Sequence, residues 1–465
     1  MKFQFEKLGY FDQKTEIELG DLTVICGKNN TGKTYASYAI YGFLETWQDK
    51  IRFQLHQNEI ENLINNGVLE LDLQQFEKDM PTVLDELSQR YTQVLPSIFS
   101  TNDAYFSESL FRALITTHYQ ANYYPHEMDL QLSIGRKKIL KVLKEKESYL
   151  LEIILQVDNK NLMRQMIKDS FHRVVGKTLL DNYFANPFII TSERTGVSLF
   201  HQELDQSKNV WVERLQKQGK KFEQANRFDK LEQAEFFQTL NESVSRYALP
   251  IKEEIDFVRD IMAYSKQTSP LIKANPELAN LLKDIVGGDY KVENDQIYFT
   301  FEKGDEKNKE IPLYMGSSAI KSLLDMSLYL KHIAKKGDIL LIDEPEQNLH
   351  PANQRKMARL FVRLIKMGVK VFVTTHSDYL IKELNNLIIL GNEFEDRDEI
   401  MEKYQYTEED VLDKSLVRVY SAEKQTLVPA PIDDLGITLS SFDLEVREMN
   451  DMFDDMTMTM EIAYQ

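Results

Sequence analysis

Gly27-Lys28-Asn29-Asn30-Thr31-Gly32-Lys33-Thr34 comes directly after the short apolar run Leu22-Thr23-Val24-Ile25-Cys26, and together the two stretches decide the fold. An apolar run of this length is expected of a strand buried on both faces. The octapeptide behind it has the G-x-x-x-x-G-K-[ST] spacing of a phosphate loop, in the strand-before, helix-after context that such a loop requires. Gly27 and Gly32 let the backbone fold tightly around Asn29, Asn30 and Thr31 and aim its N–H groups at phosphate oxygens. Lys33 supplies a point charge to the β and γ phosphates, and the Thr34 hydroxyl is placed to ligate Mg²⁺. The implied ligands are ATP and Mg²⁺.

On the N-terminal side, Phe3 and Phe5 alternate with Lys2, Gln4 and Glu6, and Ile17 and Leu19 alternate with Glu16 and Glu18. That period of two predicts half-buried strands. The partners the loop needs stand far along the chain. Ile339-Leu340-Leu341-Ile342 reads as a second buried strand and ends in Asp343-Glu344. There Asp343 would complete the metal site, and Glu344 would polarise the attacking water. A third strand, Val371-Phe372-Val373-Thr374, runs into Thr375-His376-Ser377, which makes His376 a candidate γ-phosphate contact. Leu387-Ile388-Ile389-Leu390 reads as a fourth strand, with helices over Ala352–Lys366 and Tyr379–Asn385 between them. Alternating strands and helices predict an α/β fold with a parallel sheet and ligands at the strands' carboxyl ends.

These residues resemble the ABC-type ATPases, in particular the soluble branch of SMC-like and RecF-like proteins. Residues 27–34 are similar to that branch's Walker A, Asp343-Glu344-Pro345-Glu346-Gln347-Asn348-Leu349-His350-Pro351 to its Walker B and D-loop, and Thr375-His376-Ser377 to its H-loop. Met315-Gly316-Ser317-Ser318-Ala319-Ile320-Lys321-Ser322 stands where the family has its signature, with Ala319 in place of the usual glycine. The resemblance implies that Ser317 and Ser318 contact ATP bound by a second protomer, so the chain would act as a homodimer or a higher oligomer. The residue chemistry agrees, because a serine capping a helix N-terminus binds anions; as plain helix caps the same serines would be unremarkable. The resemblance leaves the family's Q-loop glutamine unplaced.

Lys33 and Asp343 are 310 positions apart, so a large insertion separates the two halves of the ATPase, more than a transporter's nucleotide-binding subunit needs. Residues 201–249 are helix-prone, but their apolar positions sustain no heptads, and Pro250, Pro270 and Pro276 divide the next stretch of chain into short helices. Phe53–Gln120 reads as helical, Met128–Ile134 and Tyr149–Val157 as strands of the first lobe, and Lys291–Val292 with Ile297–Phe301 as a hairpin. The expected organisation is an ABC-type head in two lobes with mixed and parallel sheets and a mainly helical insertion. Residues 1–45 with 121–195 form the first lobe, 46–120 and 196–288 the insertions, 289–432 the second lobe and 433–465 an acidic tail. Pro187-Phe188-Ile189-Ile190-Thr191-Ser192-Glu193-Arg194 reads as a strand and a charged turn. Arg194 there either pairs with Glu193 or senses nucleotide or a neighbouring subunit.

Glycine and proline total only 30 of 465 residues, which favours a helix-rich globular chain. The single cysteine, Cys26, excludes a disulfide framework and a zinc hook of paired cysteines. The first 13 residues are too polar for a signal peptide and no run approaches a membrane span, so a cytoplasmic, non-membrane protein is expected. The net charge of −18 concentrates in Gly391–Asp410, at −7, and Asp433–Gln465, at −8. Both read as solvated surface or as protein-docking surface. The basic runs Arg136–Lys146 and Arg214–Arg227 carry interleaved acids and glutamines, which favours solvated helix faces over nucleic-acid grooves.

Length, compact insertion, a signature lacking its glycine and an acidic tail are similar to the ATPase subunits of PARIS-type bacterial anti-phage systems. That resemblance implies a sensor or scaffold that holds a separately encoded effector nuclease and responds to a phage-encoded trigger protein. The competing expectation is a RecF-like ATPase that clamps duplex DNA, which the acidic balance disfavours. The 75 residues beyond Leu390, with Leu416–Tyr420 the one convincing strand and acids at Asp433, Asp434 and Asp443, are too few for an appended nuclease domain.

Overall fold

A computed structural model describes residues 1–54, 57–77, 79–115, 124–134, 137–156, 164–200, 247–294, 296–304, 306–439 and 448–457. The expectations for residues 201–246, including Arg214–Arg227, and for Asp443 lie outside the described residues. The chain divides into two compact units, Met1–Glu18 with Ala39–Pro187, and Leu19–Tyr38 with Phe188–Gln465.

The first unit holds two antiparallel sheets. In one, strands Thr15–Glu18 and Leu110–Leu114 flank Lys2–Glu6. The alternation of Phe3, Phe5 and Ile17 turns those side chains inward, where Phe3 and Phe111 pack around Phe43. The other sheet runs Val68–Asp72, Leu150–Leu155, Lys137–Lys144, Met128–Ile134. Two expectations are corrected here. Phe53–Gln120 is not all helix: Gln57–Asn66 and Met80–Ile98 are helices, but Val68–Asp72 and Leu110–Leu114 are strands. Each strand alternates buried and exposed positions, a period of two too short to stand out beside long helices. The basic run ending at Lys146 is a strand, not a solvated helix face. Lys144 is buried, and its ammonium donates to the carbonyls of Tyr124, His126 and Glu145.

The second unit is built on a six-stranded sheet in the order Thr426–Pro429, Val417–Glu423, Leu22–Cys26, Lys370–Thr375, Asp338–Asp343, Asn186–Ile190. Val417–Glu423, Leu22–Cys26, Lys370–Thr375 and Asp338–Asp343 run parallel. Every residue of Leu22–Cys26 and of Asp338–Asp343 is buried. Full burial of one aliphatic side chain such as Val24 contributes roughly 2 kcal/mol. Leu387–Leu390 is not a strand: it continues the helix Asp378–Ile389, and the sheet's next parallel strand is Val417–Glu423. An apolar tetrapeptide suits either element, and the Ser377 cap that starts the helix decides the case.

Pro250 and Pro270 open helices, at Leu249–Arg259 and Pro270–Ala274, and Pro276 caps Glu277–Val286, each at a position where a missing N–H costs nothing. Gly288–Glu293 and Gln296–Phe301 form the expected hairpin. In the acidic stretch 391–410, Asp410 is buried against Arg363 and Glu408 pairs with Arg397, so part of that charge is neutralised internally. No helix among the described residues is long and apolar enough to cross a membrane.

Candidate functional site

The parallel strands set Cys26, Asp343 and Thr375 side by side, because Thr375 is opposite Cys26 and Asp343 opposite Thr374. The chain therefore leaves three neighbouring strands at one edge with the phosphate loop, Asp343-Glu344 and His376.

In the loop, Gly27 has φ 156° and Gly32 φ 90°. A Cβ on Gly27 would lie 2.9 Å from the Ala422 carbonyl oxygen, so the position needs glycine for space as well as for backbone conformation. Asn29 and Asn30 are exposed at the tip, with Asn30 at φ 62°, and the Thr31 hydroxyl donates to the Lys28 carbonyl at 2.8 Å. Lys33 opens the helix Lys33–Lys50, and its ammonium donates to the carbonyls of Gly27 (2.9 Å) and Lys28 (2.8 Å). Burial lowers the Lys33 pKa, opposed by the charges of Glu344, Asp343 and Glu346.

Asp343 Oδ1 accepts hydrogen bonds from Ser37 Oγ (2.9 Å) and Thr374 Oγ1 (2.8 Å). Its Oδ2 is buried without a hydrogen-bond partner, and the Thr34 hydroxyl lies close enough to influence the carboxyl. Burial pushes Asp343 up to about 6, with the Thr374 and Ser37 hydroxyls acting against it. A carboxylate oxygen left over beside a hydroxyl is the hard-oxygen donor set that Mg²⁺ accepts. The residues present therefore fit the metal.

Glu344 sits at φ 50°, a left-handed conformation uncommon outside glycine and asparagine. Its N–H donates to the Thr374 carbonyl at 3.0 Å. His376 Nδ1 lies 3.6 Å from Glu344 Oε1 and 3.4 Å from Glu346 Oε1, with its side chain 46% exposed. The buried Glu346 in turn accepts from Thr375 Oγ1 and from the His376 N–H, both at 2.8 Å, which holds the histidine backbone in place.

Ser317 caps the helix Ser318–Ser322 by accepting from the Ile320 N–H, and both Ser317 and Ser318 are exposed. That helix stops at Leu323, and Leu324–His332 continues as a separate helix, where the apolar pattern suggested one. Among the described residues, neither serine hydrogen-bonds to the phosphate loop or to the strand-end carboxylates.

The Glu193–Arg194 ion pair does not form. Glu193 accepts from Tyr38 (3.1 Å) and Ser192 (3.2 Å). The buried Arg194 instead donates only to backbone carbonyls, those of Thr191, Ser322, Asp343 and Glu344. Close by, the buried carboxyls of Glu254 and Asp325 face each other. Burial raises the pKa of both. Sequence reasoning missed Ser37, Thr374, Glu346 and the role of Arg194. Thr374, Glu346 and Arg194 stood within stretches already singled out, without these contacts, and Ser37 did not.

A phosphate loop, an Asp-Glu pair and a histidine thus follow three neighbouring parallel strands, with the histidine strand in the middle. The family model described as AAA ATPase domain (AAA_15) matches residues 9–381, and the chain belongs to that family. No curated protein matches the sequence. Solved structures similar to it include the Smc head domain with an extended coiled coil bound to the C-terminal domain of ScpA, from Pyrococcus furiosus, at 12% identity, 97% coverage of this chain, 98% of that one and TM-score 0.31. The SMC head domain from Thermotoga maritima is similar at 11% identity, 93% and 98% coverage and TM-score 0.29.

Proposed function

We propose that this chain hydrolyses ATP at a site formed by Lys33, Thr34, Asp343, Glu344 and His376. The observation that carries the reading is the meeting of these five residues at the carboxyl edge of three neighbouring parallel strands. Gly27, Asn29, Asn30, Thr31 and Gly32 wrap the phosphates with backbone N–H groups, and Lys33 turns its ammonium from the loop carbonyls to the β and γ phosphates. Thr34 and Asp343 would hold Mg²⁺, which when bound neutralises charge on the phosphates. Glu344 orients the attacking water and takes up its proton, and His376 steadies that carboxylate while facing the γ-phosphate. Measuring phosphate release alongside ATP retention in Lys33→Ala and Glu344→Gln tests the assignment.

Ser317 and Ser318 stand exposed, and among the described residues neither hydrogen-bonds to the phosphate loop. That supports a composite site in which these serines serve a second copy, as symmetric assembly would allow.

The biological reading is a sensor or scaffold for an effector nuclease in anti-phage defence. Its support is an exposed amphipathic helix near the end of the given sequence. In helix 448–457, Met449, Met452, Phe453 and Met456 share one exposed face, and Glu448, Asp451, Asp454 and Asp455 share the opposite one. Apolar side chains edged by acids suit a partner with a basic-rimmed groove.

A further inference from the structure

We propose that Arg194 is a positioning residue for hydrolysis, holding the peptide that carries Asp343 and Glu344 in register with the Ser318–Ser322 helix. The inference rests on the ATPase reading above.

Arg194 is 2% exposed and lies just after the strand Asn186–Ile190, at the same edge of the sheet as the phosphate loop. Its Nε donates to the Ser322 carbonyl at 3.0 Å. Its Nη1 donates to the carbonyls of Thr191 (2.9 Å) and Asp343 (2.8 Å), and its Nη2 to that of Glu344 (2.6 Å). One rigid guanidinium thus joins three chain segments far apart in sequence. The fork geometry matters, because a lysine ammonium is a single point on a flexible stem and cannot span all three.

The consequence falls on Glu344. A non-glycine residue in the left-handed region persists only where its surroundings hold it. Here the N–H of Glu344 is bound by the Thr374 carbonyl and its own carbonyl by Arg194, so both of its flanking peptides are fixed. With the backbone fixed on both sides, the direction in which the Glu344 side chain leaves the main chain is fixed as well, which sets where its carboxylate can reach. The other end of the clamp is the Ser322 carbonyl, four residues beyond Ser318, and the Ser322 hydroxyl also donates to the Gln347 carbonyl at 3.3 Å. The exposed serine turn and the carboxylate of the same protomer are therefore one connected unit. Arg194 is itself buried and acts through Glu344, not on ATP.

Two variants test this: Arg194→Lys, which keeps the charge without the fork, and Arg194→Met combined with Glu254→Gln, which removes a buried cation and a buried carboxyl together. Steady-state ATPase kinetics, affinity for a non-hydrolysable ATP analogue and thermal melting are measured for both, and for Arg194→Lys in the Glu344→Gln background. The expected result is a fall in kcat of tenfold or more, with KM and analogue affinity within threefold of wild type. In the Glu344→Gln background no further loss is expected, because the two residues act as one unit. Wild-type kcat in a folded variant would overturn the inference and leave the ATPase reading standing. So would failure of both variants to fold, or a further loss on top of Glu344→Gln, since each makes Arg194 a structural core ion. A wild-type chain without ATPase activity would overturn the ATPase reading itself.

Discussion

The Ser37 hydroxyl donates to the Asp343 carboxylate at 2.9 Å across 306 residues of chain. With Thr374 bound to the same oxygen, the loop helix and the neighbouring strand fix Asp343 Oδ1, and among the described residues Oδ2 has no hydrogen-bond partner. That oxygen and the Thr34 hydroxyl are the proposed metal donors. Asp343→Asn keeps both hydroxyl contacts sterically but removes the charge, and should raise the Mg²⁺ concentration for half-maximal ATPase activity at least tenfold. Ser37→Ala removes only a supporting bond, worth about 1 kcal/mol, and should shift it by less than tenfold. Mg²⁺ titration of activity checks both; equal curves for Asp343→Asn and wild type would exclude Asp343 as a ligand.

Assembly is expected to depend on nucleotide. Light scattering should show a larger species with non-hydrolysable ATP than without it, and Ser318→Arg, a bulky change at an exposed position, should abolish the difference. A fully active strict monomer under both conditions would rule out a composite site.

His172 makes the stability of the first unit depend on pH. Its ring is buried, Nδ1 accepts from the Phe53 N–H at 3.3 Å, and Nε2 has no hydrogen-bond partner among the described residues. Burial, with smaller contributions from Arg52 and Lys168, lowers its pKa to about 4, against about 6.5 when unfolded. Between those values the unfolded chain binds a proton that the folded chain refuses. Stability present above about pH 6.5 is therefore lost as pH falls, by about 2 kcal/mol at about pH 5. His172→Gln should flatten this part of the profile in chemical denaturation between neutral and mildly acidic pH; an unchanged pH slope would contradict the assignment.

Most of the site was legible in the sequence because its chemistry is local. The loop at 27–34, Asp343-Glu344 and His376 each sit at a strand end, where an apolar run announces the strand and the residues after it are the candidates. What could not be read depends on folding. Val417–Glu423 pairs with Leu22–Cys26 across nearly the whole chain, and no periodicity reveals such a partner. Lys137–Lys144 shows its lysines as a charged run, whereas the fold buries Lys144 against three carbonyls. Arg194 binds only backbone oxygens, which every residue possesses, so nothing in the side-chain pattern marks its partners.

The defence and DNA-clamp readings separate on salt. Phosphate contacts from Lys and Arg make non-specific DNA binding fall steeply with ionic strength. No ATP-stimulated duplex binding is expected at about 150 mM salt, with fluorescence anisotropy as the check. Tight, ATP-dependent binding that collapses with salt would favour the clamp.

In the proposed site Lys33 would bind the nucleotide and Glu344 would turn it over, and on this division of labour the proposed ATPase stands or falls. The direct test is phosphate release by purified wild type, Lys33→Ala and Glu344→Gln, with bound nucleotide quantified in the same samples. Release should be at least a hundredfold slower in Glu344→Gln with ATP still bound, and both binding and release should be lost in Lys33→Ala. Unchanged phosphate release in both variants would contradict the proposed roles.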